Sequence, residues 1–274
     1  MQKLSSTDVV SDPLSAAIFE RDAGIMDMVR KALMTNNVTL HYQPVVSSAD
    51  TSKAAFFEGL CRVLDDTGRV IPAREFIETI ETRSEGRQID CLALKLVLEA
   101  LRKDPGIRLS INMSARSIGN DAWAETLDRG LHDNPTAAER LIIEITESSA
   151  LNNTDKVAEF MEQMNARGCA FALDDFGAGQ TAFRYFKDFF FDIVKIDGSF
   201  TQGVHKDRDN QVLIEALVSI ARQFDMFTVA EYVEAAPDAD YLIGAGIDCL
   251  QGHLFGAPAA RPRIPRPLRS RRHA

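Results

Sequence analysis

The chain has 274 residues, of which 45% are hydrophobic and 26% are charged, and its formal net charge at pH 7 is −9. A chain of this size buries roughly 70–75% of its unfolded surface, so a single large domain needs neither disulfides nor a structural metal. The acidic balance argues against a long nucleic acid as partner, because Lys and Arg contacts to phosphates provide most of that affinity. It leaves room for a small phosphate ligand that is held through a divalent cation.

The spacing of cysteines and histidines narrows the class of protein further. The four cysteines form no CxxC pair and the five histidines form no HExxH motif, which argues against a disulfide framework and a zinc site. No apolar run reaches the roughly 18 residues that a membrane span needs, and the first residues lack the basic region and apolar core of a secretory signal. We therefore expect a cytoplasmic protein without a membrane span.

Composition divides the chain into three regions. Residues 1–13 are polar and predict a flexible N-terminus, residues 14–258 carry the regular apolar patterns of a folded domain, and residues 259–274 form a Pro/Arg-rich tail. The tail contains six arginines and no acidic residue, and its three prolines prevent a helix. We predict a disordered, solubilising tail, with a weak electrostatic contact to an anionic partner as the alternative.

The folded region begins with a helix and a hairpin. Apolar residues at helical spacing predict a leading helix over 14–35. The runs 38–46 and 54–64 predict two strands separated by a polar turn, so the first strand should be antiparallel to the second. Helical periodicity then continues after Pro72 through two segments.

Six further strands are predicted along the rest of the domain. The helices with clear periodicity between them are 155–168 and 211–224. Eight strand candidates with intervening helices favour a closed barrel over an open sheet, so the predicted fold class is α/β, a (β/α)8 barrel with an antiparallel first strand. The six strands are predicted at 107–114, 139–148, 169–175, 191–197, 226–231 and 247–252.

Polar side chains stand at or near the carboxyl ends of these strands. In a (β/α) barrel the catalytic groups come from the ends of several strands on one face. Most of the polar residues here are oxygen ligands of the kind that Mg²⁺ and Mn²⁺ prefer. The pattern predicts a divalent-metal site and a metal-dependent enzyme. The residues are Glu58, Asn112, Glu144, Asp174, Lys195, Glu231 and Gln251, with Asp175 beside Asp174.

Asp174 and Asp175 are the sharpest local signal. Two adjacent carboxylates at the end of one strand cannot both point into the barrel, but both can reach a pair of ions at its mouth, with Asp174 as the bridge. Two ions about 3.5–4 Å apart serve the attacking and leaving oxygens of a phosphoryl displacement. Lys195 is predicted to hold the nucleophilic water or to stabilise charge on a phosphate. The alternatives are a turn or helix cap for the aspartates and a lysine that only balances the acids.

Eight short motifs, taken in order, carry a family resemblance. They are YQPVV, FFEGLCRV, INMS, IIEITES, ALDDFGAG, FDIVKID, VAEYVE and QGHLFGAP. Together they resemble the EAL-domain family of bacterial cyclic di-GMP phosphodiesterases over roughly residues 25–258. The resemblance implies a modified TIM (β/α)8 barrel with an antiparallel first strand. It also implies that Mg²⁺ or Mn²⁺ supports hydrolysis of cyclic di-GMP to linear pGpG, which lowers the level of this second messenger.

The resemblance implies roles for single residues as well. Glu58, Asn112, Glu144 and Asp174 would ligate one ion, and Asp174, Asp175 and Glu231 the second. Lys195 would position the attacking water, and Glu147 would hold the loop that follows Asp175, so that Lys195, Glu147 and Glu58 form the catalytic set. Gln43, Arg62, Gln251 and Glu231 would face the substrate, with Arg62 on a phosphate. For Glu147 and Gln43, ordinary loop support and strand-edge polarity remain as alternatives.

The same resemblance extends to metals and assembly. We expect Ca²⁺ to inhibit, because its larger and more flexible coordination suits a tight two-ion geometry poorly. We expect a homodimer through the DDFG-loop region, as is frequent in the family.

The sequence departs from the family pattern at four places, and the altered 180–183 loop leaves a second interpretation open. Gly59 replaces the central alanine of the EAL motif, and Gln180-Thr181-Ala182-Phe183 replaces a usual Tyr-Ser-Ser-Leu. Ala257 replaces an arginine, and Tyr232 replaces a glycine beside Glu231. The alternative function is a weak or inactive domain that acts as a cyclic di-GMP receptor or a protein-docking module.

Overall fold

The computed structural model describes residues 13–151, 154–177, 189–265 and 267–268. Within these ranges strands and helices alternate along most of the chain. The strands are β1 (Val38–Ser47), β2 (Asp50–Leu64), β3 (Val70–Pro72), β4 (Leu109–Asn112), β5 (Leu141–Thr146), β6 (Ala170–Phe176), β7 (Ile193–Ile196), β8 (Phe227–Ala230) and β9 (Cys249–Gln251). The helices are α1 (Pro13–Thr35), α2 (Ile77–Ile80), α3 (Ser84–Lys103), α4 (Asp121–Asp133), α5 (Glu147–Leu151), α6 (Thr154–Asn165), α7 (Gly198–Thr201), α8 (Arg208–Gln223) and α9 (Ala236–Ala245). Short 3-10 helices lie at Ala73–Glu75, Ala115–Ser117, Pro135–Arg140 and Val204–Lys206.

Eight of the described strands close into a barrel. Strand β1 pairs antiparallel with both β2 and β9, while β2 and β4 to β9 run parallel to one another around the rest of the wall. The short β3 pairs antiparallel with the far end of β2, outside the closed ring. The predicted α/β barrel with an antiparallel first strand is confirmed.

The barrel interior is filled by an apolar layer to which six strands each contribute one residue. Side chains on a strand alternate between its two faces, so these residues share the inward face. They form a cluster that is separate from the apolar residues packed against the helices. The layer consists of Val45, Phe56, Ile142, Ala172, Ile193 and Val229.

The residues on the other face of the strands pack under the helices. Phe171 of β6 and Phe160 of α6 meet edge to face with ring centroids 5.9 Å apart, and Trp123 of α4 meets Phe160 at 5.5 Å. Such aromatic pairs add roughly 0.5–1.5 kcal/mol beyond the area that they bury. This outer layer fixes the strands and leaves the inner face free to carry a site.

Two helices of ten residues or more were not predicted from the sequence. Helix α4 is capped by Asn120, whose side chain accepts from the Trp123 N–H, and α9 has a proline in its first turn and Gly246 at φ 90° after its last residue. Both signals are ordinary helix boundaries. The predicted strands were also too long at several ends, because flanking residues lie in loops and 3-10 turns.

The chain stays in contact with the barrel beyond residue 258. Tyr42 and Ala259 exchange two backbone hydrogen bonds of 2.7 and 3.1 Å, and the Leu268 N–H donates to Thr51 Oγ1 at 2.9 Å. The boundary predicted at 258/259 stays a prediction, and the predicted flexible N-terminus lies outside the described residues except for Pro13. Among the described helices, none combines the length and the hydropathy that a membrane span requires.

Gly252 marks a close approach of two backbones directly after β9. A Cβ at this position would lie 2.0 Å from the Val233 carbonyl oxygen. We expect Gly252→Ala to lower the free energy of unfolding by about 3 kcal/mol, because neither backbone can yield easily. Gly244→Ala is the matched control: it meets no atom within 4 Å on α9 and should stabilise the helix by roughly 0.5–1 kcal/mol. Urea unfolding measures both, and an unchanged midpoint for Gly252→Ala would contradict the close approach.

Candidate metal centre at the barrel mouth

The predicted site residues form the layer above the apolar interior. Because side chains on a strand alternate in direction, a residue two positions from an inward-facing one also faces inward. Glu58, Glu144, Asp174, Lys195 and Glu231 each follow a member of the apolar layer by two positions. Gln43 precedes Val45 by two, because β1 runs in the opposite direction. The structure therefore brings these six residues to one mouth.

Lys195 is the centre of this layer. Its side chain is 1% exposed, and its Nζ lies 2.7 Å from Glu144 Oε2, 2.9 Å from Asp174 Oδ1, 2.9 Å from Glu231 Oε1 and 3.6 Å from Glu58 Oε2. Four carboxylates from four strands thus surround one ammonium group. One positive charge cannot offset the repulsion among four carboxylates, so the site favours protons or further cations.

Two amide side chains hold Glu58. Asn112 Nδ2 donates to Glu58 Oε1 at 2.9 Å, and Gln251 Nε2 donates to Glu58 Oε2 at 2.5 Å. Gln251 Nε2 also lies 3.3 Å from Gln43 Oε1. The amide groups are thus used as donors. Gln251 Oε1 is buried and has no hydrogen-bond partner among the described residues.

The pKa values of the buried groups follow from this crowding. Burial raises the pKa of Glu144 to about 8, with Lys195 opposing and Glu58 and Asp174 adding to the rise. Burial likewise raises the pKa of Glu231 well above its usual value, despite Lys195. Burial lowers the pKa of Lys195, but the surrounding carboxylates outweigh it and raise the pKa well above its ordinary value. The lysine is a fixed cation, and the site still gains from further positive charge.

Glu58 responds in the opposite direction from Glu144. Burial opposes its charged form, but Lys195 and the hydrogen bonds from Gln251 and Asn112 outweigh burial and lower the pKa of Glu58. Glu58 is therefore ionised at neutral pH and available as an oxygen ligand.

A local distortion of β6 turns the second aspartate toward the mouth. Asp175 has φ 54°, and the pairing of β6 with β7 shifts register between Leu173 and Phe176. An irregularity of this kind re-aims a side chain that regular alternation would direct to the opposite face. Burial and the Asp174 charge raise the pKa of Asp175 to about 6.

The donor set fits a hard divalent cation. Ligand oxygens of Asp174, Asp175 and Glu231 lie within 4.8 Å of one another, and Glu144 Oε1 is buried without a hydrogen-bond partner among the described residues. All of these donors are carboxylate oxygens, which Mg²⁺ and Mn²⁺ prefer.

Glu147 lies at the base of the loop that follows β6. It is 7% exposed, and its Oε2 accepts from the Gly177 N–H at 3.5 Å, a long hydrogen bond. Residues 178–188 are outside the described ranges, and with them the 180–183 substitutions and most of the loop expected to form a dimer. The roles predicted for Glu147 and for dimerisation stay predictions.

Two cavities open beside the carboxylates. One, of about 300 Å³, is lined by Gln43, Arg62, Lys195, Glu231 and Gln251 among others. The other, of about 1210 Å³, is lined by Asn112 and Glu147. Asp174, Asp175 and Arg74 line both. The residues predicted to face the substrate therefore lie around one opening, next to the candidate metal ligands.

Three of the four family departures fall on described residues. A Cβ on Gly59 would lie 3.0 Å from the Ser110 carbonyl oxygen, so β4 approaches β2 closely there. Ala257 is exposed, and Tyr232 lines the smaller cavity with φ 52°.

Supporting residues behind the site escaped the sequence interpretation. Asp90 of α3 is buried and accepts from the Ser114 N–H at 3.2 Å and the Ser117 hydroxyl at 2.6 Å, which holds the loop after Asn112. The Thr201 hydroxyl donates to the Glu231 carbonyl oxygen at 2.5 Å. Neither residue stands at a strand end, so the pattern that found the ligands could not find them.

Comparison with known proteins assigns the family. The model of the EAL domain matches residues 26–258. The chain belongs to the EAL-domain family. It is 30% identical over 244 residues to uncharacterized protein y4lL of Sinorhizobium fredii and 28% identical over 234 residues to the cyclic di-GMP phosphodiesterase PdeB of Shewanella oneidensis. These matches cover 89% and 84% of the chain, which spans only 29% and 27% of those relatives.

Solved structures agree with this assignment. The PaMucR phosphodiesterase in its c-di-GMP complex has a TM-score of 0.77 and 27% identity, with 86% of this chain and 97% of that chain covered. The FimX EAL domain from Pseudomonas aeruginosa, bound to c-di-GMP, has a TM-score of 0.81 at 23% identity, with 88% and 98% covered. The FimX match supports the fold. The PaMucR match covers nearly all of a chain named as a phosphodiesterase.

Removal of the central ammonium tests the electrostatics of the EAL site. We expect Lys195→Met to lower the free energy of unfolding in EDTA by about 3–5 kcal/mol, because it leaves buried carboxylates uncompensated. Mg²⁺ or Mn²⁺ should then raise the melting temperature of the variant more than that of the wild type, since the cation replaces the lost charge. Lys206→Met, at an exposed lysine, is the control and should change stability by less than about 0.5 kcal/mol. Equal metal-induced shifts in Lys195→Met and wild type would contradict this electrostatic picture.

Asp90 gives the protein a pH dependence that its removal should reveal. Burial raises the pKa of Asp90 from 3.8 to about 6, against the hydrogen bonds from Ser117 and Ser114. A carboxyl with a raised pKa favours the folded state while it is protonated, so stability relative to Asp90→Asn should fall by about 3 kcal/mol as pH rises through this window. Urea unfolding in EDTA between pH 4 and 7 measures the difference. Asp240→Asn, at an exposed carboxyl, is the control, and a difference for Asp90→Asn that stays constant with pH would refute this account.

Proposed function

We propose that the protein is a cyclic-guanylate-specific phosphodiesterase that hydrolyses cyclic di-GMP to linear pGpG with Mg²⁺ or Mn²⁺. One observation carries this proposal: in a chain of the EAL-domain family, carboxylates from four strands converge around Lys195 at the edge of a cavity. The relatives named for cyclic di-GMP hydrolysis support the choice of substrate. Hydrolysis would lower the level of the second messenger.

The donor set divides into two groups that share Asp174. Glu58, Asn112, Glu144 and Asp174 would hold one ion, and Asp174, Asp175 and Glu231 the second. The buried and unpartnered oxygen of Glu144 and the closeness of the Asp174, Asp175 and Glu231 oxygens support this division. When bound, such ions supply an activated water and neutralise charge on the phosphoryl group.

The remaining residues bind and orient. Lys195 is held as a cation, which suits it to stabilise negative charge that develops on the phosphate. To position the attacking water, one of its three N–H donors would turn from a carboxylate to the water. Arg62 lines the smaller cavity and would bind a substrate phosphate, for which a planar guanidinium is well suited. Gln43 and Gln251 would contact the nucleotide from the same opening.

The shape of the opening suits a two-part ligand. Ligand cavities commonly measure about 300–1000 Å³. Here the 300 Å³ cavity and the 1210 Å³ cavity share Asp174 and Asp175 as a common wall. A dinucleotide could place one nucleotide on each side with its scissile phosphate at the shared carboxylates. Glu147 would keep the loop after β6 in the shape that this arrangement needs.

A receptor or docking role is the second candidate, and one observation favours it. The Lys195 ammonium already contacts the carboxylates that would bind ions, so ions must compete with a resident cation. A domain in which the lysine prevailed would bind the nucleotide without cleaving it.

Turnover of cyclic di-GMP by the purified chain separates the two candidates. We expect linear pGpG in Mg²⁺ or Mn²⁺, and little or none in Ca²⁺, whose flexible coordination suits a tight two-ion site poorly. Asp174→Asn should lower kcat by more than about 100-fold, beyond the loss usual for a residue that only orients a metal ligand. Asp133→Asn, an exposed carboxylate at the end of α4, is the matched control. Chromatographic separation of the products is the measurement.

Two outcomes would overturn the enzyme assignment. Folded wild type that binds cyclic di-GMP but forms no pGpG in either metal would establish the receptor role instead. Full activity of Asp174→Asn would show that the proposed shared ligand is not one.

A further inference from the structure

Tyr232 stands at the mouth in a backbone conformation that aromatic residues rarely adopt. Its φ is 52°, in the left-handed region, directly after the proposed ligand Glu231. Among the described non-glycine residues the others with positive φ are Asn36, Asp175 and Asp225, which are the residue types that tolerate this region best. A bulky residue persists there only where its surroundings hold it, and such residues cluster at ligand sites.

The surroundings of the ring show how it is held. A Cβ on Gly198 would lie 2.8 Å from Tyr232 Cδ2 and 3.0 Å from Tyr232 Cβ, so the tyrosine packs directly on the bare backbone of Gly198. Gly198 is the first residue of α7, immediately after β7 and the Asp197 cap. The side chain is therefore fixed against α7 and leaves the rest of its surface for another contact.

That remaining surface lies on the candidate site. Tyr232 is 55% exposed and lines the 300 Å³ cavity together with Arg62, Asp174 and Glu231. Leu60 and Pro258 add apolar surface to the same cavity. A fixed aromatic ring that lines the same cavity as Arg62 and the candidate metal ligands is suited to a planar base.

We propose that Tyr232 is a specificity-determining residue whose ring stacks on a purine base of the nucleotide in this cavity. The inference rests on the proposed function, since it takes a cyclic dinucleotide as the ligand. Stacking of one base on an aromatic side chain changes affinity by about 5- to 150-fold. The stack holds one base while Arg62 and the carboxylates position the phosphate, so the ring contributes to binding and leaves the chemical step to the other residues.

Three substitutions at Tyr232 separate the ring from the hydroxyl and the backbone. Tyr232→Phe keeps the ring, Tyr232→Asn removes it but tolerates the left-handed conformation, and Tyr232→Gly removes both the ring and the strain. We expect Tyr232→Phe to bind cyclic di-GMP within about twofold of wild type. Both other variants should raise Kd, and KM in Mg²⁺, at least about fivefold with kcat within about threefold. Calorimetry in Ca²⁺ measures Kd.

The contact with Gly198 allows a double-mutant test. Gly198→Ala should displace the ring and raise Kd for cyclic di-GMP in the wild-type background. The same change should have no effect in the Tyr232→Gly background, because no ring is left to displace. Cyclic di-UMP provides a second readout: its smaller bases stack less, so the preference for cyclic di-GMP should shrink in Tyr232→Gly. Unchanged circular dichroism confirms that each variant is folded.

The outcomes are distinguishable. Tyr232→Gly and Tyr232→Asn that bind as tightly as wild type would refute stacking. Tighter binding by these variants would also refute it and would make the ring an obstacle. A loss in Tyr232→Phe equal to that in Tyr232→Gly would assign the effect to the hydroxyl and also refute it. Wild type that neither binds nor cleaves cyclic di-GMP would overturn the proposed function together with this inference, whereas an active wild type with indifferent Tyr232 variants would overturn this inference alone.

Discussion

The site depends on one buried ammonium group that is shared by carboxylates from four strands. Lys195 Nζ lies within 3.6 Å of Glu58, Glu144, Asp174 and Glu231, and all five side chains are nearly inaccessible to water. The positive charge favours the ionised form of each acid, against the burial and mutual repulsion that still raise the pKa of Glu144 and Glu231. The lysine therefore keeps the ligand set assembled, and because it cannot offset the repulsion among the acids it also leaves a reason for divalent ions to bind.

The position of that charge follows from the packing below it. The apolar layer of Val45, Phe56, Ile142, Ala172, Ile193 and Val229 fills the barrel and fixes the direction of each strand's inward face. Two residues further, the same face reaches the mouth, where polar groups replace apolar ones. The same strands therefore carry the apolar layer and, two residues further along, the residues of the site. The outer contacts between strands and helices hold the strands in register.

Much of this could be predicted from the sequence, for reasons visible in particular residues. Glu144 and Lys195 stand at the ends of short apolar runs, so the same sequence pattern predicts both the strands and the residues of the site. Asp175 was recognised from its neighbour, but the distortion that turns it toward the mouth depends on pairing with β7 and could not be seen. Asp90 lies within helix α3, and its role arises from hydrogen bonds to Ser114 and Ser117, which are 24 and 27 residues further along the chain. Local patterns do not encode such contacts. Helices α4 and α9 carry recognisable boundary signals in the sequence, although they are not among the predicted elements.

The reversed direction of β1 has a structural consequence. Val38 pairs with Val63, so β1 starts where β2 ends, at the rim that carries Glu58. Helix α1, anchored through Met26, Val29 and Ala32, delivers the chain to this rim, and the Asn37 carbonyl accepts the Leu64 N–H at 2.9 Å. In a barrel of eight parallel strands the leading helix would arrive at the opposite rim. Strand β1 therefore connects α1 directly to Gln43, which lies five residues along the strand from Val38 and pairs with Glu58.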